Sequence, residues 1–166
     1  MTGLPDLIAA QRPGHAMAQP FYTAPEVFAA DRRAVFGREW LLAAHVSEIP
    51  EAGDYVLFDM LEDSVILCRD GEGGIRAFAN VCRHRGSRLC IAPRGNVRRF
   101  TCPYHAWAFN LDGSLFHARL LDADYDRDRL NLIPVAVEVL EGLIYVSLSD
   151  NPPDFAPLRA ALAPCL

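Results

Sequence analysis

There is no lysine in this chain, and all sixteen basic residues are arginine. Nor is there an acidic residue between Gly73 and Leu111, an interval that holds Arg76, Arg83, Arg85, Arg88, Arg94, Arg98 and Arg99. Long apolar runs are missing too. None approaches the roughly 20 residues that cross a bilayer, and the opening MTGLPDLIAAQRPG lacks the basic region that begins a secretory signal. The expectation is a cytoplasmic protein that does not enter a membrane. A net charge of −5 argues against general affinity for nucleic acid or anionic lipid, because like charges repel. Cysteine is scarce and odd in number, five in all, which in a reducing compartment fits ligands or buried thiols better than a set of disulfides. What is present is 166 residues, 51% of them apolar, enough for one domain with its own core. The acid-free interval has two readings, an ordinary solvated surface or a cationic rim that steers an acidic redox partner. Acids gather elsewhere, as in LLDADYDRDRL at 120–130.

Residues 23–40 read as a helix. Thr23 followed by Glu26 fits a capping box, Pro25 is tolerated in a first turn, and Val27, Phe28, Val35, Phe36 and Trp40 fall near one face. The period then changes to two. YVLFDML (55–61), SVILCRD (64–70), IRAFANV (75–81), VRRFTC (97–102), PVAVEVL (134–140) and GLIYVSL (142–148) are short and rich in β-branched and aromatic residues. Turn signals such as EDS, DGEGG and LDGS separate them. The pattern predicts a mainly β fold, an antiparallel sandwich or small barrel with hairpin connections, preceded by one N-terminal helix. From Asp150 the texture shifts to NPPDFAP and then to a helical apolar pattern. The expected division is an N-terminal arm and helix over 1–40, a β domain over 41–149, and a Pro-rich exit linker with the start of a helix over 150–166.

The chemistry sits in two loops between predicted strands. CRHRG pairs Cys82 with His84, and CPYHAW pairs Cys102 with His105. Two thiolates and two imidazoles can satisfy either tetrahedral zinc or a 2Fe-2S cluster. Zinc fingers usually place both cysteines in one turn and both histidines in another. Here each loop is mixed: C-x-H, seventeen residues, then C-x2-H. Each loop then offers one sulfur and one nitrogen, as a two-iron cluster does when one iron takes both cysteines and the other both histidines. The other candidates read as structural. Cys68 lies in an apolar strand and Cys90 beneath the first loop, Cys165 is incidental, and His15, His45 and His117 lack a metal-binding spacing.

CRHRGSRLC and CPYHAWAFNLDGSL resemble the Rieske signature of the large subunits of Rieske non-haem iron oxygenases, the ring-hydroxylating and N-demethylating enzymes. Gly86, Pro103, Tyr104 and Trp107 match beside the four ligands, and the likeness extends over roughly residues 18–160. HVSEIPEAGDY and CPYHAW lean toward the branch acting on quaternary amines such as choline or glycine betaine. Ala106 departs from the glycine that many members have there. The resemblance implies a Rieske 2Fe-2S cluster, with Cys82 and Cys102 on the inner iron and His84 and His105 on the outer one. Gly86, Tyr104 and Trp107 would pack around and shield it.

It further implies an electron-transfer portion of an oxygenase α subunit, fed by a flavin or ferredoxin reductase and relaying electrons to a catalytic domain with a mononuclear iron. No two-histidine, one-carboxylate motif for that iron is read here, so it is expected beyond this sequence, and no catalytic residue of the oxygenation is expected within it. Family members often form homotrimers, which is carried over as an expectation. Two imidazoles in place of two thiolates leave the oxidised core uncharged, which raises the potential into a range of roughly −150 to +300 mV. The free outer nitrogens also couple it to pH. Mitochondrial-type Rieske proteins bridge their two loops with extra cysteines; Tyr104 holds the second of those positions and Cys90 has no counterpart, which implies a potential toward the low end. The rival readings are a free-standing Rieske ferredoxin and a zinc-binding structural module.

Overall fold

A computed structural model describes residues 3–119, 121 and 125–166. Leu120, Asp122, Ala123 and Asp124 of the acidic stretch therefore lie outside the described residues. The chain opens with α1 (Leu4–Ala9), α2 (Pro20–Thr23) and α3 (Pro25–Asp31), the last continuing as a π-helical turn over Arg32–Phe36. Ten strands follow: β1 (Leu41–His45), β2 (Asp54–Met60), β3 (Asp63–Arg69), β4 (Ile75–Ala79), β5 (Arg94–Asn96), β6 (Phe100–Thr101), β7 (Ala108–Phe109), β8 (Leu115–His117), β9 (Ala136–Leu140) and β10 (Leu143–Ser147). Helix α4 (Ala156–Leu162) comes last.

The strands form three antiparallel sheets, ordered β1-β10-β9, β4-β3-β2-β5 and β6-β7-β8. This is the mainly β, antiparallel class the alternation predicts. The four-stranded sheet is the middle layer, and β3 explains why. Val65, Ile66, Leu67 and Cys68 are all at most 2% exposed, so this strand is buried on both faces and reads as a continuous apolar run instead of alternating. Val65 and Leu67 pack with Val56, Ala77, Ile144 and Val146, toward the β1-β10-β9 sheet. Ile66 and Cys68 face the other way, joining Phe78, Phe100, Phe109 and Trp107 beneath the small sheet. On one edge the two larger sheets are tied by backbone bonds from Ala79 to Ile133 and from Val135 to Ala77, both 2.9 Å.

The helical region departs from expectation. The single helix predicted over 23–40 is broken at Ala24, whose ψ of 127° is extended, because the ring of Pro25 disfavours helical backbone in the residue before it. Thr23 does not cap; its hydroxyl donates to the Gln19 carbonyl instead. Regular helix stops at Asp31, and Phe28 and Val35 are exposed, so only Val27 of the predicted face is buried. Trp40 leaves the helical region altogether. Its indole N–H donates to the Pro153 carbonyl at 2.8 Å, and its ring meets Phe155 edge-on. Phe155 is buried with Leu140 and Tyr145, and Arg159 of α4 pairs with Glu138 of β9 at 3.0 Å.

One buried charge organises a hairpin. Asp70 is 3% exposed. Its carboxylate accepts from the backbone N–H of Glu72 and Gly74 and from Arg76 Nε, the last at 2.7 Å. Burial alone would raise its pKa, but the Arg76 guanidinium and the two N–H groups outweigh burial and hold the carboxyl below its ordinary value. A group depressed in the folded state stabilises the fold fully above its unfolded pKa of about 3.9 and loses that contribution as pH falls through the lower folded value. Replacing Asp70 by Ala should cost on the order of 2–3 kcal/mol at neutral pH, read from urea denaturation, with the gap to the parent closing in strong acid. Equal midpoints at pH 7 would contradict this account.

Candidate metal centre

The two Cys/His loops are built to one plan. The first joins β4 to β5 and the second joins β6 to β7. In the first, the Cys82 N–H donates to the Ser87 carbonyl at 2.8 Å and the Gly86 N–H returns to the Cys82 carbonyl at 3.0 Å. In the second, the Cys102 N–H donates to the Trp107 carbonyl at 2.7 Å and the Ala106 N–H returns to the Cys102 carbonyl at 3.0 Å. Each cysteine is thus bonded to the residue five ahead, and the residue four ahead is left-handed, Gly86 at φ 72° and Ala106 at φ 60°. The histidine falls at the second position after cysteine in one loop and the third in the other.

This turn aims backbone donors at both sulfurs. The backbone N–H groups of His84 and Arg85 favour the thiolate of Cys82, and those of Tyr104 and His105 the thiolate of Cys102. Both cysteines are 3% exposed, and each thiol shifts the pKa of the other. Burial raises the Cys82 thiol. Burial opposes ionisation of Cys102 as well, but the two N–H donors, the Cys82 thiol and the Ser87 hydroxyl together bring it below its ordinary value.

The imidazoles form the second half. Their ring centroids are 4.8 Å apart at 75°. His84 stacks on the Trp107 ring at 4.7 Å and 10°, and Tyr104 lies against His105 at 3.8 Å. Burial first, then His84 and Arg85, depress the His105 pKa, which favours the neutral, ligating form. Among the described residues Nδ1 of His84 and Nδ1 of His105 are both buried and without a hydrogen-bond partner, as are Arg83 Nε and Trp107 Nε1. An orphaned buried polar atom costs about 1–3 kcal/mol, so two of them on rings 4.8 Å apart, in loops that also carry two buried cysteines, suit a bound metal group. No three His, Cys, Asp or Glu side chains among the described residues converge as ligands of a single ion. The sulfurs pair and the nitrogens pair, which fits a two-metal cluster better than one tetrahedral zinc.

Over the histidines lies a cavity of about 750 Å³ lined in part by Arg83, Arg85, Tyr104, Arg119, Tyr125 and Leu130. The cationic interval is less uniform in space than in sequence. Arg76 pairs with Asp70, Arg88 with Asp59 at 3.8 Å and Arg94 with Glu48 at 3.6 Å. Among the described residues no carboxylate pairs with Arg83, Arg85, Arg98 or Arg99. Arg94 thus belongs to a strand-edge ion pair and not to a free rim. The remaining cysteines behave as expected. Cys68 is fully buried with its thiol pushed up to about 12 by burial, Cys90 is buried and raised by burial to about 11, and Cys165 is exposed. His45 bonds to Ser47, and neither it, His15 nor His117 approaches the centre. The sequence reading missed Ser87, whose carbonyl accepts from the Cys82 N–H; nothing in its spacing marks it.

The family model described as "Rieske [2Fe-2S] domain" matches residues 39–135. The chain is 43% identical over 158 residues to the glycine betaine monooxygenase oxygenase subunit of Chromohalobacter salexigens, covering 95% of this chain and 36% of that protein. Among solved structures it is similar to naphthalene 1,2-dioxygenase from Rhodococcus sp., with TM-score 0.81 and 38% identity, covering 86% of this chain and 34% of that one. It is also similar to the quaternary ammonium Rieske monooxygenase CntA, with TM-score 0.81 and 32% identity, covering 88% and 43%. The chain spans about a third of the length of the curated relatives it matches.

The shared turn gives a paired test. An added Cβ at Gly86 meets nothing nearer than Val81 Cγ2 at 4.0 Å, so Gly86→Ala carries only the left-handed backbone strain less the entropy removed from the unfolded chain, a net loss of about 0.5–1 kcal/mol. Ala106→Gly relieves the same strain but loosens the unfolded chain, for a net gain of about 0.5–1 kcal/mol. Thermal unfolding of both variants beside the parent should move in opposite directions; shifts of the same sign would refute the common plan.

Proposed function

The chain belongs to the Rieske [2Fe-2S] domain family, and from that premise we propose that it is the electron-relay portion of an oxygenase α subunit. Cys82 and Cys102 would hold one iron through their sulfurs, and His84 and His105 the other through Nδ1. When bound, the cluster takes up and gives out one electron at a time. The observation that carries this assignment is the pair of buried Nδ1 atoms without a partner among the described residues, on loops whose cysteines are also buried. The protein's own part is to hold, shield and orient. Backbone N–H groups compensate charge on the sulfurs, and Trp107 and Leu89 exclude water from the inner side. Gly86 and Ala106 make the turns possible, and Trp107 and Tyr104 fix the imidazole planes. Nε2 of each histidine has no partner among the described residues, leaving that edge available toward the cavity.

The relay would receive electrons from a flavin or ferredoxin reductase and pass them to a mononuclear iron in a catalytic domain outside this sequence. Homotrimeric assembly and a cytoplasmic setting belong to the same reading; no helix among the described residues is long and apolar enough to cross a membrane. Residues 41–149 would be the cluster-bearing unit, flanked by 1–40 and 150–166. Relatives that act on glycine betaine, together with similarity to CntA, favour a quaternary amine as the whole protein's substrate class over an arene. They also favour an oxygenase portion over a free-standing carrier, since the matched proteins are oxygenase subunits.

Anaerobic reconstitution with iron and sulfide should give a red-brown protein with an EPR signal after reduction, and Cys102→Ser should abolish both. A colourless protein carrying one zinc at the four side chains would sink the assignment. For the donor, charge reversal at Arg98 and Arg119, which hold no ion pair among the described residues, should slow reduction by an acidic reductase about tenfold at low ionic strength. Stopped-flow rates that ignore both the reversal and salt would remove the cationic rim from the account.

A further inference from the structure

The first loop is closed by a side chain that the ligand motif does not contain. Asn80 follows the end of β4, two residues before Cys82, and is 4% exposed. Its Oδ1 accepts from the N–H of Leu89 at 3.0 Å and of Cys90 at 2.9 Å. Its Nδ2 donates to the Cys90 carbonyl at 2.8 Å and to Ser64 Oγ at 3.1 Å. A carboxamide has two donor hydrogens and two acceptor lone pairs, and here all four are used. The orientation of the amide follows from its partners, since backbone N–H groups can only donate and must face the oxygen. Asn80 is itself anchored to the middle sheet, its own N–H donating to the Ser64 carbonyl at 2.8 Å.

We propose that Asn80 is the positioning residue of the first ligand loop, a clamp that holds residues 89 and 90 against residue 80 and so sets where Cys82 and His84 stand relative to Cys102 and His105. The inference rests on the reading of those four residues as ligands. No disulfide ties the loop, because all the cysteines are free. Its internal bonds, Cys82 to Ser87 and Gly86 to Cys82, shape the turn but do not join its return half to the sheet. Three of the four Asn80 side-chain bonds do. Aspartate could keep the two accepted bonds but would set a carboxylate oxygen against the Cys90 carbonyl, and no smaller residue spans the gap.

The test compares Asn80→Ala, Asn80→Asp and Ser64→Ala with the parent. Ser64→Ala removes only the bond to the sheet side chain and leaves the three to the loop, so it serves as the stability control. Amide hydrogen exchange on the metal-free protein should show protection at Leu89 and Cys90 falling roughly tenfold or more in Asn80→Ala, but not in Ser64→Ala. After reconstitution, Asn80→Ala should shift the midpoint potential and the EPR g-values, Asn80→Asp should shift them less, and Ser64→Ala should reproduce the parent even where its melting temperature falls. Parent-like potential and g-values in Asn80→Ala would overturn the clamp. Should that variant fail to fold, Asn80→Ser, whose hydroxyl is too short to reach Leu89 and Cys90, takes its place, and parent-like exchange and potential in it would overturn the clamp equally. A parent that takes up no cluster would defeat the ligand reading instead, and hydrogen exchange at Leu89 and Cys90 would still decide whether Asn80 holds the loop.

Discussion

The centre depends on one backbone constraint used twice, a cysteine N–H bonded to the carbonyl five residues ahead, with a left-handed residue between them. That closure turns the following N–H groups inward, toward the two buried sulfurs. Without it, bringing two thiols to the same place beneath the small sheet would cost desolvation with nothing to offset it. With it, the imidazoles are carried to the neighbouring side by the same turns.

The fold below supplies the rigid frame. β3 is insulated on both faces, and each face serves a different core, one toward β10 and one toward Phe100 and Phe109. The small sheet, though built from strands of two or three residues, is therefore seated on the stiffest part of the molecule. Aromatic packing then distinguishes the two histidines. His84 lies flat on a buried tryptophan, whereas His105 is covered by Tyr104, which is exposed to solvent.

How far this was legible in the sequence depended on how local each feature is. The four proposed ligands and the apolar run of β3 announce themselves by identity and spacing, and Ala106 was conspicuous because a glycine was expected in its place. The break at Ala24 was readable in principle from Pro25, but the Thr23–Glu26 pattern pointed the other way, and the proline ring prevailed. LLAAH of β1 shows no alternation, and β7 and β8 are too short to show a period. What could not be read is what joins residues far apart in the chain. Glu48 neutralises Arg94, Ser64 and Cys90 meet at Asn80, and Trp40 finds Pro153, none of which any window of sequence contains.

That last contact has a mechanical meaning. Trp40 and Pro153, 113 residues apart, are joined by one hydrogen bond just where the chain enters and leaves the β layers. The two leads are thus fastened to each other beside the paired strands β1 and β10. The loops bearing Cys82 and Cys102 belong to the core on the far face of the middle sheet, so a disturbance at that junction has two packed layers to cross before it reaches them.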